Sequence, residues 1–145
     1  MTLHIKRFDE LTTDELYLIL KLRVDVFVVE QNCAYSELDD RDRESLHVWL
    51  EDASGIAAYL RVLMPGLVYP CTAIGRVIAA RRREGLGTEV LKAGIQAAKV
   101  HFGASEIYLE AQTYARPFYE KQGFSAISEP FDEDGIEHIK MLLKL

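Results

Sequence analysis

Apolar and polar positions change their period along this chain, and each change marks an element. Leu3 and Ile5 alternate with His4 and Lys6 as far as Phe8, which predicts an edge-like strand. Thr12 or Thr13 then offers an oxygen to cap a helix, with Asp14 and Glu15 in its first turn. Leu16, Ile19, Leu20, Val26 and Phe27 recur at helical spacing along it. Glu30 to Glu44 loses the period and turns polar and acidic, a loop or short helix. Leu46 to Leu50 and Gly55 to Leu63 read as two strands joined at Asp52-Ala53-Ser54-Gly55. Pro65 to Pro70 is a loop and Ala73 to Ala79 a third strand. Gly85 to His101 is an amphipathic helix with Leu91, Ile95 and Ala98 on one face, ended by Gly103. Ile107 to Ala111 is a strand and Tyr114 to Lys121 a helix. Two closing strands follow, near Ser125 and from Ile136 to Leu145, with Asp134-Gly135 as a turn between them. The order β-α-loop-β-β-β-α-β-α-β-β predicts an α/β fold, a mixed sheet with helices on both faces.

No repeat, low-complexity tract or linker interrupts this order, and 145 residues at 49% hydrophobic suit one domain over 1–145. The net charge is −6 and the pI about 5.2. An acidic surface argues against nucleic-acid binding, which needs a basic footprint, and weakly favours a cationic substrate. Arg81, Arg82 and Arg83 form a local basic exception. Cys33 and Cys71 make neither a disulfide framework nor a metal spacing and read as reduced thiols, so no metal is expected. The start of the chain lacks the apolar core of a signal peptide, and no run is long enough to span a bilayer. The expectation is a cytoplasmic protein that binds no membrane.

Two stretches carry chemistry. Arg82-Arg83-Glu84-Gly85-Leu86-Gly87-Thr88 lies between a strand and a helix. Free N–H groups at a helix start can cradle a phosphate, glycines let it approach the backbone, and arginines add charge. Downstream, Phe118-Tyr119-Glu120-Lys121-Gln122-Gly123-Phe124 puts a tyrosine on a helix that stops at a glycine. A phenol there can protonate a leaving thiolate. A phosphate at one end and a thioester at the other suggest acetyl-CoA. By themselves a plain strand-to-helix turn and a core aromatic explain the same residues.

Read together, the two stretches resemble the GNAT superfamily of acyl-CoA N-acyltransferases. Its loop pattern, Arg/Gln-x-x-Gly-x-Gly/Ala, is matched by Arg82, Gly85 and Gly87. Its late pattern, Asn-x-x-Ala-x-x-x-Tyr-x-x-x-Gly-Phe, is matched by Ala115, Tyr119, Gly123 and Phe124, with Gln112 in place of Asn. A narrower resemblance, to ElaA-type acetyltransferases, rests on the run from Arg23 through Val26-Phe27-Val28-Val29-Glu30-Gln31-Asn32-Cys33, Tyr35 and Glu37 to Asp39. Gly75-Arg76-Val77, Ala111-Gln112 and Asp134-Gly135-Ile136-x-His138 extend it, and Gln is usual there at position 112. Ala79-Ala80-Arg81 is shorter than the family turn. Aligned from the glycines, Val77 ends the third strand; aligned from Gly75-Arg76, Ala79 does.

The resemblance implies a GNAT-type mixed sheet of about seven strands, in which the strands Ala73 to Ala79 and Ile107 to Ala111 splay apart. Acetyl-CoA would lie in the split, held by Val77, Ile78, Ala79, Arg82, Arg83, Glu84, Gly85, Leu86, Gly87, Thr88, Gln112 and Tyr119. An amine would attack the thioester directly, with Tyr119 as general acid and Glu110 as a candidate base. Glu30, His47 and His138 are further candidate bases. Glu30, Gln31, Tyr35 and His138 would contact the acceptor, and Glu37 to Asp42 would rim it or form a solvated loop. The acceptor would be a small-molecule primary amine or an exposed amino group. A non-catalytic acyl-CoA sensor and an acyl-homoserine-lactone-type synthase are the alternatives. The last strand, apolar at Met141, Leu142, Leu143 and Leu145, would fill the core or pair two subunits into a homodimer.

Overall fold

The computed structural model describes residues 1–81 and 84–145. Arg82 and Arg83, placed by the sequence in the phosphate loop, lie outside the described residues. In chain order the elements are β1 (Thr2–Arg7), α1 (Thr13–Val24), β2 (Ser45–Asp52), β3 (Gly55–Leu63), β4 (Thr72–Ala79), α2 (Leu86–Phe102), β5 (Glu106–Gln112), α3 (Arg116–Glu120), β6 (Ser125–Ala126), β7 (Phe131–Glu133) and β8 (Ile136–Lys144). The strands form one eight-stranded sheet in the order β1-β2-β3-β4-β5-β8-β6, with β7 also on β8. The fold is the mixed α/β sheet expected from the sequence, with β1 at an edge.

Local chemistry sets the element ends. Thr12, not Thr13, caps α1: its hydroxyl accepts from the Glu15 N–H at 3.0 Å, and the Glu15 carboxylate accepts from the Thr12 N–H at 2.9 Å. This reciprocal pair satisfies two orphan donors of the first turn. Past Val24 the helix widens into a π turn over Asp25–Glu30, where Cys33 N–H reaches Val28 O at 3.0 Å. Asp52 accepts from Ser54 N–H at 2.8 Å and closes the β2–β3 hairpin.

Both sheet faces are covered, so β2 and β3 are buried over most of their length. Leu46, Val48 and Leu50 of β2 pack with Val90, Leu91, Ala97 and Ala98 of α2. Trp49 of β2 and Tyr59 of β3 point the other way and pack with Ile19 of α1. Gly94 lies where α2 comes closest to β3: a Cβ there would stand 2.8 Å from the Leu60 methyls.

One feature differs from the sequence reading, and two more bear on alternatives it left open. A short strand, Phe131–Glu133, pairs with β8, so Asp134-Gly135 is the turn of a β7–β8 hairpin rather than a link back to Ser125. Phe131-Asp132-Glu133 is too short and acidic to give a strand signal. The last strand does not present a free edge. β8 pairs with β5 on one side and with β6 and β7 on the other, so its apolar residues are used inside the sheet. The third strand runs to Ala79, as the Gly75-Arg76 alignment requires, because it carries an extra residue. Tyr59 faces Ile78 while Arg61 faces Gly75, so β4 spends three steps where β3 spends two. Arg76, in this bulge, has φ +55°.

β4 and β5 are parallel but paired only at Thr72↔Ile107 and Ala73↔Tyr108. Beyond Ala73 they separate, and β5 continues along β8. The gap between them positions everything that follows. Gly94→Val is expected to overpack the α2–β3 contact and lower stability by about 1–3 kcal/mol, measured by urea denaturation.

Candidate active site

The separated strands open a cleft of about 1160 Å³. One wall is Ala73 to Ala80, the other Tyr108 to Gln112; Leu22, Val26, Phe27, Glu30 and Gln31 from α1 and its π turn close one side. Tyr119 from α3 and His138, Glu133 and Asp134 from the β7–β8 hairpin line the remainder. The cleft thus gathers Val77, Ile78, Ala79, Glu110, Gln112, Tyr119, Glu30, Gln31, Tyr35 and His138, residues spread over most of the chain. Ile78 is buried against Trp49 and Tyr59, so what β4 offers the cleft there is its backbone edge, unpaired beyond Ala73.

The predicted phosphate loop is not part of the cleft lining among the described residues. Glu84, Gly85, Leu86, Gly87 and Thr88 stand just beyond Ala80, where α2 begins. Gly85 is the N-cap at φ +73°, a left-handed backbone that favours glycine, and a Cβ there would meet nothing. The first helical bond runs from Glu89 N–H to Gly85 O at 3.2 Å, so the N–H groups of Leu86, Gly87 and Thr88 have no partner within the helix. Leu86 contributes only backbone, since its side chain is in the core. Gly87 packs against Phe118 and Ala79, joining the start of α2 to the helix that carries Tyr119.

Tyr119 is 8% exposed, edge-on to Phe118 and Phe124. Burial pushes its phenol well above the ordinary value, so it keeps its proton at neutral pH. Gln112 donates from Nε2 to Oε1 of Gln31 at 3.1 Å, a bridge from β5 to the end of the π turn. Cys33 donates from its thiol to Asp134 O at 3.3 Å and ties the hairpin turn to the same wall.

Within the acidic stretch Glu37 to Asp42, Asp40 is exposed to solvent, while Glu37, Asp39 and Asp42 are held by three arginines. Arg23 donates from Nε to Glu37 Oε2 at 2.7 Å and from Nη1 to Asp42 Oδ1 at 2.6 Å. Arg76 donates from Nε to the same Glu37 oxygen at 2.7 Å. Arg61 donates from Nη1 to Asp39 Oδ1 at 2.8 Å and Asp42 Oδ1 at 2.9 Å. Three guanidiniums thus balance three carboxylates, with Arg23 and Glu37 almost fully buried. Although burial opposes ionisation, Arg61 and Arg76 hold Asp39 well below the usual carboxylate range, and Arg23 and Arg61 lower Asp42. The Tyr35 hydroxyl donates to Glu37, which leaves its ring, beside Arg76, to face the cleft. This cluster was not legible as such; only the spacing of Arg23, Glu37 and Asp39 within the ElaA-like signature hinted at it.

His47, a candidate base in the sequence, is fully buried and away from the cleft. Its Nε2–H donates to Asp42 O at 3.0 Å, so Nδ1 accepts from the Tyr59 hydroxyl at 2.8 Å, and burial lowers its pKa. Both nitrogens are committed, and the imidazole is neutral. His138 is half-buried at the cleft. Nδ1 donates to Ile136 O at 2.8 Å, and Nε2 faces Glu133 Oε2 at 3.6 Å. Glu110 accepts from the Tyr108 hydroxyl at 2.9 Å, and Tyr108 stacks on Tyr69 at 3.8 Å. Glu30, at the end of the π turn, also lines the cleft. Among the described residues, no group of His, Cys, Asp and Glu is placed to hold a metal ion. No described helix is long and apolar enough to cross a membrane.

A mixed sheet splayed between β4 and β5, with a buried tyrosine at the opening, is an acyltransferase arrangement. Residues 24–145 match the family described as Acetyltransferase (GNAT) domain, and the chain belongs to that family. Protein ElaA of Escherichia coli is 37% identical over 138 residues, covering 91% of this chain and 89% of ElaA. The ElaA crystal structure superposes with TM-score 0.91 over 99% of each chain. An acyl-CoA N-acyltransferase from Pseudomonas aeruginosa superposes with TM-score 0.92 at 36% identity, again over 99% of each chain. A CoA-dependent acyl-homoserine lactone synthase, BjaI, shares the fold at TM-score 0.79 and 16% identity, over 98% of this chain and 82% of that one.

Because Asp39 and Asp42 are held below their unfolded values, their contribution is present above about pH 4 and lost as pH falls below it. His47 acts in the same direction: its folded pKa is depressed, so stability falls as pH drops below about 6.5 and the unfolded imidazole takes up a proton. Urea midpoints measured from pH 7 to pH 3 are expected to fall on acidification. Glu37→Gln leaves Arg23 and Arg76 without their shared carboxylate and is expected to cost about 3–5 kcal/mol by the same measurement.

Proposed function

We propose that the chain is an acetyl-CoA-dependent N-acetyltransferase that moves an acetyl group onto a primary amine, a small molecule or an exposed amino group, by direct attack within a ternary complex. The observation that carries this reading is the loss of β4–β5 pairing after Ala73↔Tyr108, which leaves a backbone edge facing a cleft lined by Tyr119, with α2 beginning a few residues past Ala80. Pantetheine is an amide chain and fits an unpaired strand edge. Its diphosphate fits the start of α2, with Arg82 and Arg83 in the same loop by sequence.

Val77, Ile78 and Ala79 would hold the pantetheine by backbone hydrogen bonds, and an N–H of this edge would polarise the acetyl carbonyl. The amine would come from the side lined by Glu30, Gln31, Tyr35 and His138, with Glu110 taking the proton that the ammonium must lose. As the C–S bond breaks, the sulfur takes the electron pair, and the Tyr119 phenol supplies it with a proton. The burial that keeps Tyr119 protonated supports that role. Holding thioester and amine together supplies much of the rate, and an acidic acceptor side suits a cationic amine.

Calorimetric titration with acetyl-CoA is expected to give saturable binding, and an amine-panel assay with thiol release to give turnover. Folded chain that binds no acetyl-CoA would sink the reading. Binding without turnover on any amine would favour the sensor alternative. Tyr119→Phe is expected to lower kcat by about 100-fold or more with the KM for acetyl-CoA nearly kept; an unchanged kcat would remove Tyr119 as the acid.

A further inference from the structure

Arg76 and Glu110 stand on facing walls of the cleft, within three residues of the last β4–β5 pair, Ala73↔Tyr108. Their side chains lie on one side of the sheet. The Arg76 guanidinium packs beside the rings of Phe27, in the π turn, and Tyr35. Tyr108, Glu110 and Gln112 alternate along β5 and share a face, and Gln112 reaches Gln31 where the π turn ends. An acceptor on this side therefore meets a guanidinium on one wall and a carboxylate on the other.

The ion cluster uses only part of Arg76. Its Nε–H donates to Glu37 Oε2 at 2.7 Å, and Nη2 reaches Glu37 O and Asp39 Oδ2, each at 3.4 Å. Nη1 has no hydrogen-bond partner among the described residues. The Arg76 side chain is 21% exposed and lines the cleft, whereas Arg23 and Arg61 are almost fully buried. Arg41 adds a further cation, with Nη1 at 3.6 Å from Asp39 Oδ2. The cluster then holds four guanidiniums against the carboxylates of Glu37, Asp39 and Asp42. One positive charge is left over, and Arg41 and Arg76 both line the cleft. A monoanion matches that surplus, and a carboxylate matches the N–H geometry of a guanidinium.

We propose that the acceptor is a free amino acid, with its carboxylate bound at Arg76 Nη1 and its ammonium directed to Glu110. Arg76 is then the residue that sets acceptor specificity. This rests on the acetyl-transfer reading above and narrows its primary amine to one that also carries a carboxylate. The product is an N-acetyl amino acid. Its N–C bond forms as the C–S bond breaks and sulfur takes that electron pair. The ammonium loses two protons. Glu110 takes one and releases it to water, and the other replaces the one that Tyr119 gives to sulfur.

Acetylation rates on matched acceptors test this. Each amino acid found in proteins, with β-alanine and γ-aminobutyrate, is compared with its methyl ester and with its decarboxylated amine. The best amino acid is expected to exceed its own ester and amine in kcat/KM by roughly 10- to 100-fold, the worth of one charge-assisted hydrogen bond. Esters or amines that serve as well as the acids overturn the proposal and leave the acetyl-transfer reading standing. In Arg76→Lys, which keeps the charge and loses Nη1, the preference for acid over ester is expected to shrink toward one, through a raised KM for the acid. An unaltered preference overturns the assignment of Arg76.

Nitrogen NMR supplies an arm that needs neither turnover nor a folded variant. The Arg76 Nε–H signal is expected to shift when the chain with CoA is titrated with N-acetylglycine, and to stay in place with N-acetylglycine methyl ester. Equal shifts, or none with either probe, overturn the carboxylate site. Chain that acetylates no acid, ester or amine refutes the parent reading and the acceptor role together. The NMR arm separates that outcome from the lack of a carboxylate site.

Discussion

Arg76 occupies a left-handed backbone position in the middle of β4, and β4 leaves β5 three residues before it. A non-glycine residue held there costs on the order of 1–3 kcal/mol and persists only where its surroundings over-determine it. Here the surroundings are explicit. The Arg76 guanidinium is bonded to Glu37, Glu37 to Arg23, Arg23 to Asp42, and Asp42 to Arg61. The cluster therefore links α1, the loop after it, β3 and the bulge of β4 into one rigid wall. The other wall, β5, is held by seven residues of antiparallel pairing with β8. A parallel sheet that would otherwise zip closed is kept open by what each strand is bound to on its far side.

An opening between strands solves a problem that a surface groove does not. Buried sheet edges are normally satisfied by neighbouring strands, and an unpaired one binds whatever extended amide chain can reach it. The side chains around the opening divide by chemistry. The α2 end offers unpaired N–H groups and suits negative charge, whereas Glu30, Glu110 and Glu133 gather at the hairpin and π-turn end. Tyr119 stands between, protonated because it is buried. The polarity of the cleft follows from where a helix begins and where a hairpin curls, more than from any single residue.

Elements whose residues pack on near neighbours were legible in the sequence. The cap at Thr12, the hairpin at Asp52 to Gly55, the stripe of α2 and the stop at Gly103 depend on residues a few positions apart. So do the glycines at 85 and 87 and the tyrosine at 119. The buried ion cluster was not legible, because charge carries no periodicity and its bonded partners are up to 39 residues apart in sequence. Glu37 to Asp42 reads as a solvated acidic loop unless Arg23, Arg61 and Arg76 are known to converge on it. His47 looked like a titratable candidate because a histidine gives no sign of burial until its strand is placed between two covered faces. β7 was missed because three residues, two of them acidic, have no strand signal apart from the strand they pair with.

By itself the sequence determined the order of the elements apart from β7, the helix caps and the family. These follow from local propensity and short-range patterning, which are written in adjacent residues. Tertiary structure alone decided that β4 runs to Ala79 through a bulge, that its pairing with β5 stops at Ala73, and that the acidic loop is an internal ion cluster. Each of these depends on which distant backbones come within hydrogen-bond or ion-pair range, and that distance is fixed only when the whole sheet is assembled.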